Sequence, residues 1–293
     1  MRVEWLSIFA MLCWSLPAGA GGGADGTQRS LDAALANTSA LAVVLNGADG
    51  RMIAATRAEE AGRIAGVPGS TLKPLFLAAA LRQGKVRAQT TVVCRGNLRI
   101  AGHDLACTHP RDENILNAER ALAYSCNTWF ANLATRFTAE QAAAVLRGYG
   151  LGSRTGLIDG ESAGMVSRPT DQAELQLMIL GLVDAEVTPA QLALAYFRLA
   201  QNFDAVPVVR KGLEGSIAYG MAHNAATEGL AIAGKTGTAS DPGQSWTHGW
   251  FVGIAMLGAK RIVVVIYMPR GNGADAALLA HRFFTRWKGI AAK

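Results

Sequence analysis

Charge is scarce in this sequence: 17% of its 293 residues are charged, against 50% that are hydrophobic. So low a charge excludes a self-repelling disordered chain and leaves a globular one with a real core. After the N-terminus there is no apolar run approaching the roughly 20 residues that cross a bilayer, so no membrane span is expected in the mature chain. No lysine/arginine cluster is interleaved with aromatics, which argues against nucleic acid as a partner. The five histidines (His103, His109, His223, His248 and His281) include no i,i+4 pair, which excludes a metalloprotease of the two-histidine helix type.

What is present begins at the N-terminus. Met1-Arg2 precedes an apolar run from Trp5 to Leu16, followed by Pro17-Ala18-Gly19-Ala20. A charged start, a short apolar segment and a small-x-small site describe a secretory signal over residues 1–20, which places the mature protein in the periplasm or extracellular cell envelope. Leu12 is too bulky before Cys13 for a lipoprotein signal. Cleavage removes Arg2 and Glu4 together, so the net charge stays at +6, suited to an anionic neighbourhood such as a cell envelope. Residues 21–38, rich in Gly, Ala, Ser and Thr, are expected to be a linker, and residues 39–293 the folded domain.

Three cysteines remain after processing. In an oxidising compartment Cys94 and Cys107 are the expected disulfide pair, brought together by a hairpin turning at Ala101-Gly102. Closing that short loop would contribute about 3 kcal/mol. A metal held by Cys94, His103, Cys107 and His109 matches no common zinc spacing, so neither metal nor cofactor is expected. Cys126 is expected to be a small buried residue.

Strand patterns open and close the domain. Leu41–Leu45 and Arg51–Thr56 flank the turn residues Asn46-Gly47-Ala48-Asp49-Gly50, which predicts a hairpin. His248–Ala255 and Arg261–Met268 predict a second, after a strand leading into Lys235, and an amphipathic helix over Ala274–Lys288 follows. Between them lies a helical insertion of about residues 85–225, helical in periodicity from about 113 to 225, with helices expected over Asn117–Thr135, Ala139–Tyr149, Asp171–Leu182 and Pro189–Gln201. Strands at both ends with helices between predict an α/β (α+β) fold: a mostly antiparallel sheet flanked by helices, with an all-helical insertion beside it.

Three short motifs lie in order along this frame. In Val67-Pro-Gly-Ser-Thr-Leu-Lys-Pro74 the second proline belongs in a first helical turn, so a helix starts near Ser70 and Lys73 sits one turn on, on the same face. A helix start also favours developing negative charge. The other two are Ser125-Cys126-Asn127 and Lys235-Thr236-Gly237-Thr238. S-x-x-K, S-x-N and K-T-G together are the signature set of penicillin-binding proteins and serine β-lactamases. From about residue 40 to 290 the chain resembles the transpeptidase domain of penicillin-binding proteins. Tyr124-Ser-Cys-Asn-Thr-Trp-Phe130, Gly148-Tyr-Gly-Leu-Gly152 with Gly160-Glu161, Val187-Thr-Pro-Ala-Gln-Leu-Ala193 and Gly249-Trp-Phe-Val-Gly253 extend the likeness.

The resemblance implies the five-stranded β-lactamase/transpeptidase-like fold and a serine D,D-peptidase acting on D-Ala-D-Ala-ended stem peptides of peptidoglycan, with β-lactams as covalent inhibitors. Ser70 would be the nucleophile and Lys73 its base, kept partly neutral by burial and by Lys235. Ser125 would relay a proton, and Asn127 would bind Lys73 and the substrate amide. The amides of Ser70 and Thr238 would form the oxyanion hole. Lys235, Thr236 and Thr238 would hold a substrate carboxylate, with Gly237 keeping the strand edge clear. Gly181-Leu182-Val183-Asp184 departs from the Gly-Gln-Gly common in the family, without removing a catalytic group. A serine β-lactamase and a non-catalytic β-lactam sensor or scaffold are the alternatives.

Overall fold

The computed structural model describes residues 21–241 and 243–291; the expected signal over residues 1–20 lies outside them. In chain order the elements begin with helix α1 (Gly21–Leu35), strands β1 (Leu41–Asn46) and β2 (Met52–Thr56), and α2 (Ala58–Arg63). A 3-10 turn over Gly69–Leu72 runs directly into α3 (Lys73–Arg82). Four two-residue strands follow: β3 (Val92–Val93), β4 (Arg99–Ile100), β5 (His103–Asp104) and β6 (Ile115–Leu116). Helices α4 (Ala118–Ala123), α5 (Asn127–Ala134) and α6 (Ala139–Gly148) come next, then β7 (Met165–Val166), α7 (Gln172–Leu180) and β8 (Ala185–Glu186). The chain finishes with α8 (Pro189–Ala200), α9 (Pro207–Ala218), β9 (Ala231–Ala239), β10 (His248–Leu257), β11 (Lys260–Met268) and α10 (Gly273–Ala291).

The main sheet is antiparallel and five-stranded in the order β2-β1-β11-β10-β9. Its first strand in the chain, β1, thus pairs directly with its last, β11, and β9, which carries Lys235-Thr236-Gly237, is an edge. Both faces are buried, as the unbroken apolar runs of β1 and β11 require. Leu41, Val43 and Leu45 with Val263, Val265, Trp250 and Val252 face the helical half. Ala42, Val44, Ile262, Val264, Ile266 and Phe251 face the layer of α1 and α10.

The segment expected to be a linker is a helix. Leu31, Ala34 and Leu35 form one apolar stripe on the sheet's back layer, and a side chain at Gly26 would strike Ile290 Cγ2 at 2.7 Å. Small residues there let α1 approach α10 closely, so their abundance reflects tight packing and not slack.

The helix expected over Asn117–Thr135 is also broken. Ser125 takes a left-handed conformation (φ 56°) and Cys126 is extended, which separates α4 from α5. Asn117 caps α4, its side chain accepting from the Arg120 amide. The helices over Ala139–Gly148 and Pro189–Ala200 start at Thr138 and Thr188 with reciprocal capping boxes to Gln141 and Gln191, each worth about 1 kcal/mol.

Glu161, buried in the loop between α6 and β7, gathers the backbone amides of Thr155, Gly156, Leu157 and Ile158. Burial pushes its carboxyl up, but hydrogen bonds from the Thr155 hydroxyl and these amides outweigh burial and hold it below the usual carboxylate range. A depressed carboxylate stabilises the fold above its unfolded pKa and stops doing so as pH falls through its folded one. Glu161→Ala is expected to lower the melting temperature by about 5–10 °C at neutral pH, and by less in acid. Thermal melts of both proteins at the two pH values check this.

Candidate active site

The site assembles where the start of α3, the α4–α5 break and the edge strand β9 meet. Gly69 makes the turn before Ser70 with φ 56°, and its amide donates to the Gly181 carbonyl at 2.8 Å. The Val67 carbonyl accepts from the Trp250 indole at 3.0 Å and is 2.7 Å from His248 Nε2. The Thr71 carbonyl accepts from the buried Tyr196 hydroxyl at 2.8 Å. These bonds fix the turn from three sides. Ser70 is half-buried, and the Lys73 amide donates to the Ser70 carbonyl, so the two side chains are one turn apart, with Cβ atoms about 5–6 Å from one another.

Lys73 is wholly buried. Its Nζ donates to the Ser125 carbonyl at 2.8 Å, the Ser125 hydroxyl at 3.2 Å and Asn127 Oδ1 at 2.6 Å, and lies 5.3 Å from the Phe130 ring centre. The left-handed turn at Ser125 is what aims both its carbonyl and its hydroxyl at one amine; a continuous helix would turn that carbonyl back into its own hydrogen-bond ladder. Non-glycine residues adopt this conformation only where surroundings enforce it. Asn127 is held from the other side, donating through Nδ2 to the Leu105 carbonyl at 3.2 Å.

Burial draws the Lys73 amine down to about 7, with Cys126 and Cys107 opposing the shift. Lys235 is also wholly buried and is lowered well below the ordinary lysine range, first by burial and then by the charge of Lys73. Desolvation, and not the second cation, is thus the main cause of the lowered Lys73 amine. Lys235 Nζ donates to the Thr236 carbonyl at 2.9 Å.

Alternation along β9 sets Lys235 and Gly237 on the face toward α3, and Thr236 and Thr238 on the face toward α10. The Thr236 hydroxyl lies 3.4 Å from the Met221 carbonyl, and the Thr238 hydroxyl accepts from the Gly273 amide at 2.9 Å. The strand thus splits the residues expected to share one carboxylate. A Cβ at Gly237 would come within 2.5 Å of the Pro68 carbonyl and 2.9 Å of Thr71. The glycine is required by the turn behind it. A Cβ at Gly69 would lie 3.1 Å from the Thr238 nitrogen, which puts the backbone of Thr238 beside the glycine that leads into Ser70.

Cys94 and Cys107, the expected disulfide pair, are free, as is Cys126. Cys94 Sγ hydrogen-bonds the Thr128 hydroxyl at 3.3 Å, while Cys107 Sγ lies 3.7 Å from Cys126 Sγ. The third cysteine, carried in by the α4–α5 break, spreads the sulfurs over a common centre instead of leaving two to pair.

A model of the penicillin binding protein transpeptidase domain matches residues 40–286. The chain belongs to this family. Among curated relatives of this transpeptidase domain, the peptidoglycan D,D-transpeptidase MrdA of Acinetobacter baumannii is 26% identical, over 75% of this chain and 42% of its own. The stage V sporulation protein D of Bacillus subtilis is 27% identical, over 59% of this chain and 32% of its own. The chain therefore spans less than half the length of these relatives. The transpeptidase domain of penicillin-binding protein 3 from Burkholderia pseudomallei superposes with a TM-score of 0.78 at 22% identity, covering 92% of this chain and 93% of that one. PBP2 of Pseudomonas aeruginosa gives 0.77 at 21%, covering 89% and 76%. The fold of these transpeptidase domains is thus kept across most of the chain.

Proposed function

We propose that this chain is a serine D,D-peptidase of the cell envelope, acting outside the cytoplasm on D-Ala-D-Ala-ended peptidoglycan stems through an acyl-enzyme at Ser70. The observation that carries this reading is the Lys73 amine, buried, titrating near 7 and tied to Ser125 and Asn127, one helical turn from an otherwise unactivated alcohol. Ser70 Oγ attacks the carbonyl carbon of the penultimate D-Ala while its proton passes to Lys73 Nζ. The peptide C–N bond breaks, and the leaving D-Ala nitrogen takes that proton by way of the Ser125 hydroxyl. An amine or a water then attacks the ester, its proton returns through the same groups, and Ser70 is released. An amine acceptor gives a cross-link and water gives a trimmed stem.

The amides of Ser70 and Thr238 would receive the developing oxyanion, a contribution of about 10²–10³ in rate. Lys235 would receive the substrate's terminal carboxylate. One of its three donors is used by Thr236, and an arriving anion would restore the ammonium that burial disfavours. The hydroxyls of Thr236 and Thr238 would have to leave their present partners to join it.

The test is labelling with a fluorescent penicillin. The wild-type chain is expected to form a stable covalent adduct and Ser70→Ala none. An adduct that turns over rapidly would indicate a β-lactamase, and no adduct at all would indicate a scaffold.

A further inference from the structure

The sulfurs of Cys94, Cys107 and Cys126 and a ring nitrogen of His109 all lie within 4.8 Å of one another. The residues come from three places: the end of β3, the loop leaving the β4–β5 hairpin, and the break before α5. Four ligands held tetrahedrally about 2.3 Å from a zinc ion are about 3.8 Å apart, and Cys107 and Cys126 are 3.7 Å apart.

His109 Nε2 is buried with no hydrogen-bond partner, while Nδ1 lies 3.0 Å from the Pro110 carbonyl. If Nδ1 carries the proton, as that contact favours, the Nε2 lone pair is left free inside the cluster, the state a metal-binding imidazole needs. The Gly96 amide donates to Cys94 Sγ at 3.4 Å, and the Thr128 hydroxyl is within reach of both Cys94 and Cys107. The amide favours a thiolate at Cys94.

We propose that Cys94, Cys107, His109 and Cys126 form a structural zinc site that fastens the β4–β5 hairpin to the start of α5. Three thiolates and one imidazole select zinc over harder divalent ions, and with no open position the ion is structural. Binding releases the thiol protons and leaves the site with one net negative charge. Histidine 103, on the exposed β5, lies outside the cluster; Cys126, 32 residues or fewer from the other ligands, replaces it. The site adjoins the chemistry on both sides. Cys126 stands between Ser125 and Asn127, and the hairpin supplies the Leu105 carbonyl that orients Asn127. Zinc would also keep three thiols from oxidising in an exported protein.

The experiment is metal analysis of the full chain purified without chelators, together with alkylation of native cysteines and cobalt substitution. One zinc per chain is expected, with cysteines that react only after chelation. Cobalt should give the visible bands of a tetrahedral ion and a thiolate-to-cobalt charge-transfer band. His109→Ala and Cys107→Ser should lose the metal, and His103→Ala should keep it; should Cys107→Ser not fold, His109→Ala and the alkylation of wild type decide. Chain purified without metal, with the thiols freely reactive or two of them in a disulfide, would overturn the proposal, as would metal retained in His109→Ala. None of these readouts depends on catalysis, so the zinc site and the peptidase reading stand or fall separately.

Discussion

Lys73→Met is expected to slow acylation by penicillin about 10³-fold while leaving a folded protein. Methionine fills a similar volume but offers no base, and positioned general bases contribute about 10²–10⁴ in rate. The fold should survive because the change also removes a buried cation, which is costly to desolvate. Against that, the Ser125 carbonyl and Asn127 Oδ1 each lose a donor. The pH dependence of stability separates these effects. Both Lys73 and Lys235 have folded pKa values lowered by burial. Between about 7 and the ordinary lysine value of 10.5, the unfolded chain therefore binds more protons than the folded one, and stability rises with pH. Urea unfolding across that window should show a shallower rise in Lys73→Met than in wild type. Equal slopes would mean that the buried amine is not the group responsible.

Gly181→Ala is expected to disrupt the domain strongly. Gly181 has φ 77°, and a Cβ there would fall 2.0 Å from the Gly69 carbonyl oxygen and 2.7 Å from its carbon. Neither backbone can yield without moving the turn that carries Ser70. Overpacking of this kind costs about 3 kcal/mol, a fall of roughly 6–12 °C in a domain of this size. A displacement near 1 Å at the nucleophile can cost about 10²-fold in rate. Gly84→Ala is the control: φ is 66°, but nothing lies within 4 Å. It should lose about 1 kcal/mol and acylate normally. Melting temperatures and acylation rates of the two variants provide the comparison.

These two glycines show where reading the sequence runs out. Hairpins and helix starts were legible because turn residues, apolar runs and prolines act locally. So was the order of the three motifs. The close approach of Gly181 to Gly69, or of Gly237 to Pro68, is a contact between segments far apart in the chain and leaves no periodic trace. The same holds at Ser125, whose left-handed turn interrupts a helical periodicity and makes the Lys73 site possible. In residues 21–35 the glycines resembled a linker because composition records flexibility and close packing alike; only the facing Ile290 tells them apart. The cysteines misled for a third reason. Spacing between Cys94 and Cys107 suggested a closed pair, whereas the break before α5 brings Cys126 among them.

The most direct measurement is the pH dependence of the second-order rate of acylation by penicillin in the wild-type chain, from about pH 5 to 9. A base titrating near 7 predicts a rate rising tenfold per pH unit in acid and levelling above neutrality, with that limb absent from Lys73→Met. A flat profile, or the same limb surviving in Lys73→Met, would contradict the account.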